Sequence, residues 1–253
     1  MFLRLVTLAA LVFAPFQAQA PATKAEAPAT LPEARTIIDR HIKAVGGRDA
    51  ILARKSMHGV GTVSIPAAGI TGPIEVFGAA PNKILVKSSI PGMGEFTEGF
   101  DGTHGWSMNP MTGPVLKADK ELEQTKLDAD FYGELRDPKL YTEIKTLDKV
   151  TFDGRDCYKV SLKRIDGVED VDYYDVATGL RAGGQNTRIT PMGPIPITSI
   201  ASNYQKIGKL TQAMQMTQQM MGQEQKITLT SLDYDKVDPS VFELPAAIKA
   251  LIK

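Results

Sequence analysis

The chain has 253 residues, 29 basic and 29 acidic side chains, and one cysteine, Cys157. Balanced charge, with no basic run longer than two residues, excludes a nucleic-acid footprint and a polybasic membrane anchor. The lone cysteine excludes an internal disulfide, a Cys-rich zinc site and a CxxC redox pair, and a chain of this length can bury enough core to do without a disulfide.

Residues 1–20 read as a secretion signal. Arg4 supplies the positive start, Leu5 to Phe16 the apolar stretch, and Ala18-Gln19-Ala20 the small residues of a cleavage site. The apolar run of about a dozen residues is shorter than the ~20 of a membrane-spanning helix. Cleavage is expected near Ala20 or Ala22, because Pro21 disfavours the first position. The mature protein is therefore expected in the periplasm, soluble and without an integral anchor. Residues 21–31, dominated by Ala, Pro and Thr, read as a flexible leader, and residues 32–253 as one domain.

Pro32 opens a helix at its favoured first position. Ala34, Ile37, Ile38, His41, Ile42 and Val45 share one helical face, and Gly46-Gly47 ends it. Arg48 to Lys55 adds a short helical turn. From Met57 the period changes to two. Met57, Val63 and Ile65, then Ile74 and Val76, then Ile84, Val86 and Ile90, then Phe96 and Phe100 alternate with small or polar residues. Such alternation marks strands with one covered face. Turn residues separate them at Ala67-Ala68-Gly69, Pro81-Asn82 and Pro91-Gly92, and no helix intervenes, so the strands form an antiparallel meander.

A second helix is expected from Ala118 to about Leu135, with Leu127, Phe131 and Leu135 stacked at i+4 and Asp119 and Glu121 at its positive end. Strands then resume. Asp153-Gly154, Asp166-Gly167 and Thr178-Gly179 mark tight turns, and Tyr158, Val160 and Leu162 share a face. Thr190 to Pro196, with three prolines, is expected as a loop or strand edge. A last hairpin sets Met214 and Met216 against Ile227 and Leu229, turning near Gly222, before a short tail helix from Ala246 to Ile252. The fold class is α+β, mainly β. A sheet this long must curl, giving an incomplete antiparallel barrel whose helices act as a lid on the concave side.

Motifs that carry catalysis are absent: no G-x-S-x-G elbow, phosphate loop or dinucleotide fingerprint occurs. His41, His58 and His104 are too far apart for helical zinc patterns. Glu98, Asp101 and His104, spaced by threes, read as hydrogen-bonded turn residues rather than metal ligands. The reading is non-enzymatic, with no cofactor and no metal.

GFDGTHGWSMNPMTG (99–113) resembles the DG…W…DP strand pair of the LolA/LolB-like family of outer-membrane lipoprotein-sorting carriers, with Met108-Asn109-Pro110 where an Asp-Pro is usual. FDGRDCYKVSL (152–162), YYDVATGLRAG (173–183) and DPSVFELP (238–245) resemble its later strands and closing segment. The resemblance implies an incomplete barrel around an apolar cavity that carries lipid or lipoprotein acyl chains without a cofactor. Strand parity makes Ile84, Val86, Phe96, Phe100, Tyr158, Val160, Met214 and Met216 the expected cavity lining, with Phe131 on the lid and Trp106 offered as a further contact. The flexible methionines suit cargo of irregular shape. The rival reading is an envelope scaffold or protein-interaction module with a filled core and a protein partner.

Overall fold

A computed structural model of the protein describes residues 30–190 and 193–252. The expected signal segment and nearly all of the leader lie outside the described residues. Thirteen strands form one antiparallel sheet: β1 (Ser56–Ile65), β2 (Ile70–Ala79), β3 (Lys83–Ile90), β4 (Gly94–Phe100), β5 (Gly105–Asn109), β6 (Gly113–Leu116), β7 (Tyr141–Phe152), β8 (Arg155–Arg164), β9 (Glu169–Asp175), β10 (Arg181–Thr190), β11 (Gly193–Ile207), β12 (Leu210–Met220) and β13 (Gln223–Tyr234). Their order is β6-β5-β4-β3-β2-β1-β13-β12-β11-β10-β9-β8-β7. Two meanders are therefore zipped together where β1 meets β13, and the sheet stays open between β6 and β7. Right-handed strand twist accumulated over this many strands curls the sheet into an incomplete barrel. Of the proline-rich stretch, the described Gly193 to Pro196 lies at a strand edge. Gly193 to Pro196 pairs with β10, while pairing to β12 begins only at Ile197, so Pro194 and Pro196 forfeit no ladder bond on that side.

Four α-helices complete the described residues: α1 (Ala34–Ala44), α2 (Arg48–Ala53), α3 (Asp119–Asp128) and α4 (Ala246–Lys249). The apolar stripe of α1 lies against the concave face of one meander, where Ile37, Ile38, Ile42 and Val45 pack with Val160, Leu162, Tyr174 and Leu210. Each aliphatic side chain so buried contributes about 1.5–3 kcal/mol. Gly46 ends the helix with φ 125°, and a Cβ there would lie 2.4 Å from the Lys209 carbonyl oxygen. Only glycine allows the chain to turn away so close to the β11–β12 turn.

Two helical expectations need correction. The second helix is shorter than the periodicity suggested: α3 stops at Asp128, and a 3-10 turn occupies Gly133–Leu135. The Asp130 carboxylate accepts from the Tyr132 backbone N–H at 3.0 Å, a local bond that competes with helix continuation. Nor do all helices lie on the concave side. α4 packs outside, where Ile248 and Phe242 meet Phe77, Leu85 and Trp106, side chains of opposite parity to Ile84 and Val86.

Candidate ligand cavity

Register fixes which side chains face inward. Val63 pairs with Ile227, Val76 with Val86, Val86 with Glu98, Ser88 with Phe96, and Met216 with both Ala201 and Ile227. Directly paired residues share a face, so these belong to one continuous concave surface. Short side chains recur on it: Gly59, Gly61, Ser88, Ser107, Ser199 and Ala201. The serines and Ala201 border open room, whereas Leu229 and Leu232 close over Gly59 and the Thr228 carbonyl closes over Gly61.

The room consists of two lobes. An outer lobe of about 440 Å³ is lined by Val63, Ile65, Ile74, Ile84, Val86, Ile90, Met93, Phe96 and Ile227. An inner lobe of about 670 Å³ runs past Met57, Val76, Met214, Met216 and Leu229 toward a polar end with His41, Glu134, Arg136, Arg181, Tyr204 and Gln212. Ile74, Ile84, Val86, Asp128, Gln218 and Ile227 line both and form a shared waist. Exposed Met93, Met111 and Met221 sit in the turns β3–β4, β5–β6 and β12–β13. Antiparallel connectivity puts these turns at one end of the sheet.

α3 bridges the concave face from β5 to β10. Leu122 and Thr125 sit over Gly105. On the other side Gln124 donates to the Thr187 carbonyl and accepts from the Ile189 N–H, both at 2.7 Å. The side chain of Gln124 is buried, so removing it leaves both backbone groups unsatisfied. Gln124→Ala is expected to destabilise the α3 docking by about 1–3 kcal/mol. Hydrogen exchange should then speed up in residues 119–129 while the central pairing of β1 with β13 keeps its protection.

A charged cluster sits beneath α3. Buried Lys117 forms an ion pair with Glu98 and donates to Thr125 Oγ1 at 3.2 Å. Arg188 lies 3.4 Å from Glu98 and 4.0 Å from Asp128. Burial pushes the Glu98 carboxyl up, but Lys117 and Arg188 outweigh it and hold the group below its ordinary value. Asp128 is raised, because burial outweighs the attraction of Arg188. A second cluster joins the segment after α3 to the sheet. Asp172 is 2% exposed and accepts from Arg136 at 2.8 Å, Arg181 at 2.7 Å and the Tyr174 hydroxyl at 3.0 Å. Burial opposes its ionisation, yet the two guanidiniums bring it down to about 2.

Among the expected site residues, the structure places Ile84, Val86, Phe96, Met214 and Met216 around the two lobes. Phe100 shares their face but is 1% exposed and contributes to neither lobe. Tyr158 and Val160 point to the concave side where α1 already fills the space. Phe131 follows α3 and lies over Gly78, beneath the Arg54 guanidinium at 5.9 Å. Trp106 requires correction. It belongs to the outer cluster under α4, with Gly99 directly beneath its indole, where a Cβ would sit 2.8 Å from the ring. The glycine and the tryptophan pair across β4 and β5, which explains that spacing as packing on the convex face. Trp106 is the sole tryptophan, so intrinsic fluorescence should stay unchanged when an apolar ligand fills the cavity; a clear emission shift at saturation would contradict this placement.

Glu98 stands apart from Asp101 and His104, whose side chains lie 3.4 Å from each other. Asp101 Oδ1 accepts from the Thr103 and His104 backbone N–H groups at 2.7 and 2.6 Å, making a turn, while Glu98 faces the cavity with Lys117. Sequence reasoning missed the Asp172 cluster, His41 and Gln212. The polar residue inside Val171-Asp172-Tyr173-Tyr174 and the histidine inside the apolar stripe of α1 were the available signals.

The described residues belong to one class of architecture, an incomplete antiparallel barrel with an open, mostly apolar cavity beneath a bridging helix. The solved structures it resembles make the class more particular. They include a DUF1329 family protein from Desulfovibrio piger (TM-score 0.55, 13% identity, covering 83% of this chain and 97% of that one). A LolA superfamily protein from Nitrosomonas europaea matches similarly (TM-score 0.55, 13% identity, 85% and 99%). So does a domain named for outer membrane lipoprotein sorting from Vibrio parahaemolyticus (TM-score 0.53, 11% identity, 83% and 95%). The chain has the LolA/LolB-like fold. No family model and no curated protein matches its sequence.

Proposed function

We propose that the protein is a non-enzymatic carrier in the periplasm that holds lipid or lipoprotein acyl chains in the two-lobed cavity beneath α3. The carrying observation is the cavity itself, about 440 Å³ in one lobe and 670 Å³ in the other, with a waist of four aliphatic side chains beside Asp128 and Gln218. At about 30 Å³ per water-sized group, each lobe has room for roughly fifteen to twenty methylenes, one acyl chain rather than two. Removing a chain of that length from water is worth ~12 kcal/mol before ordering costs, at ~0.8 kcal/mol per methylene. Such a ligand needs cover to cross an aqueous compartment.

Release requires that the cover can open. α3 is a ten-residue helix whose attachment is mostly polar: Gln124, the Glu98–Lys117 pair and the Arg188–Asp128 contact. These groups can exchange protein partners for water, so lifting the helix exposes little of its own apolar surface. Among the described residues no helix is long and apolar enough to cross a membrane. The rival scaffold reading demands a filled core, and it is favoured only by the half of the concave face that α1 occupies.

Extraction of the purified protein with organic solvent, followed by mass spectrometry of the extract, tests the reading. Stoichiometric acyl lipid is the expected result. A lipid-free protein that also fails to take up a fluorescent fatty-acyl probe overturns it.

A further inference from the structure

We infer that the end of the sheet bearing the β1–β2, β3–β4, β5–β6 and β12–β13 turns is a docking surface whose partner is a lipid bilayer, met through its apolar layer and not through headgroup charge. The strands joined by these turns lie side by side from β6 to β12. Neighbouring turns touch. A Cβ on Gly72 would sit 3.2 Å from Pro91, and one on Gly94 would sit 2.6 Å from Pro110. Residues 65–70, 89–94, 109–113 and 219–223 contain no Asp, Glu, Lys or Arg. The first charges, Glu95 and Glu224, come one residue into the following strands. What the turns expose is apolar: Met93 is 41%, Met111 74%, Met220 39% and Met221 72% exposed. The same group of strands is charged at its other end, with Lys83 after the β2–β3 turn, Asp101 in β4–β5 and Lys209 in β11–β12.

The fold does not account for these methionines. Met221 and Gly222 form the two-residue turn between β12 and β13, with φ 51° and 74°. That left-handed geometry suits Asn, Asp or Gly and costs a methionine free energy. A side chain so exposed recovers little of that cost by packing. Each of the other three turns contains a proline, Pro66, Pro91 or Pro110, which fixes φ and limits how far the turn can fold its apolar tip away.

Two observations choose the partner. First, the surface is continuous with the outer lobe, because Ile65, Ile90 and Met93 belong to these turns and also line that lobe. A chain passing between the lobe and the outside at Met93 meets no charged residue of the turns. Second, protein interfaces carry a polar rim and complementary charges that fix register and partner, and these turns offer no charge for either. A bilayer needs no register. Flexible methionines suit it, and contiguous exposed apolar groups mark an interaction site. The β8–β9 turn lies at the same end, beyond β11 and β10, and its Arg164, Asp166 and Glu169 bound the surface on that side. The choice of partner rests on the carrier reading, and the two can fail separately.

Co-sedimentation of the purified protein with phosphatidylcholine vesicles tests the surface, with titration of a fluorescent fatty-acyl probe run in parallel without vesicles. The wild type is expected to sediment with the vesicles equally at low and high salt, with no gain from added phosphatidylglycerol. Met111→Asp combined with Met221→Asp should lower the partition at least about tenfold, because charge in the turns resists transfer into the apolar layer. Probe affinity should stay that of the wild type. Both positions are exposed and Asp suits the β12–β13 turn, so the variant folds. Leu251→Asp, at an exposed position just beyond α4, should keep the wild-type partition. No vesicle binding by the wild type overturns the docking surface, as does equal loss in Leu251→Asp or binding that requires phosphatidylglycerol. Concentration-dependent self-association abolished by the methionine substitutions would make a second copy the partner and overturn the bilayer assignment. Probe uptake without vesicle binding leaves the carrier reading standing, whereas vesicle binding without probe uptake overturns that reading and not the surface.

Discussion

Replacing Asp172 with alanine should destabilise the protein by about 3–5 kcal/mol, the cost of leaving buried cations without their counter-charge. Asp172 is 2% exposed and is the shared partner of Arg136, Arg181 and the Tyr174 hydroxyl. The loss falls at a joint between elements. Arg136 follows the 3-10 turn after α3 with φ 47°, a left-handed conformation that costs a non-glycine residue free energy and must be held by its contacts. Its carbonyl accepts from Arg35 of α1 at 3.0 Å, so one residue links α1, the segment after α3 and β9. Urea unfolding at pH 7 should show the loss as a lower midpoint with an unchanged slope.

The same group sets a pH dependence whose sign follows from its depressed pKa. Asp172 titrates at about 2 in the folded protein against an ordinary value of 3.8, so the unfolded chain binds the proton first as pH falls. The contribution is complete above about pH 4 and disappears as pH drops through 2. A shift of this size is worth about 2 kcal/mol. The difference between wild type and Asp172→Asn should therefore narrow between pH 4 and pH 2 and stay constant from pH 5 to 8. A gap that widens on acidification would mean that the guanidiniums do not hold the carboxylate ionised.

Much of this architecture was legible because it is local. Period-two spacing of Ile84, Val86 and Ile90 and of Phe96 and Phe100, with turn glycines between the runs, identifies strands and their parity, and the length of the antiparallel sheet implies the incomplete barrel, in agreement with the resemblance to lipoprotein-sorting carriers. What stayed hidden depends on contacts between distant segments. Parity placed Val160 on the concave face, but only the docking of α1 decides that Val160 is core and Val86 is lining. Trp106 offered a large apolar surface with no indication of which face was covered, and α4, more than a hundred residues downstream, supplies the cover. The second helix was over-extended because Leu127, Phe131 and Leu135 keep helical spacing even though Asp130 interrupts the backbone pattern. Asp172 pairs with residues 36 positions before and 9 after it, and no local pattern announces that convergence.

Adjacent positions on β3 allow the cavity to be separated from the core in one experiment. Val86→Trp is expected to abolish binding of a fluorescent acyl probe, with affinity falling at least about tenfold, since an indole at the waist displaces several methylenes of ligand at ~0.8 kcal/mol each. Stability should hardly change, because Val86 lines both lobes and the added ring enters unoccupied space. Leu85→Trp should do the reverse. Leu85 is 3% exposed between Phe77, Trp106 and Phe242, where extra volume overpacks a filled cluster at about 1–3 kcal/mol, and probe affinity should remain that of the wild type. The two substitutions add the same ring one residue apart, so unfolding curves and probe titrations on both variants compare only the two faces. If Val86→Trp lost as much stability as Leu85→Trp while binding survived, the concave face would be as tightly packed as the convex one, and the room for an acyl chain would not exist.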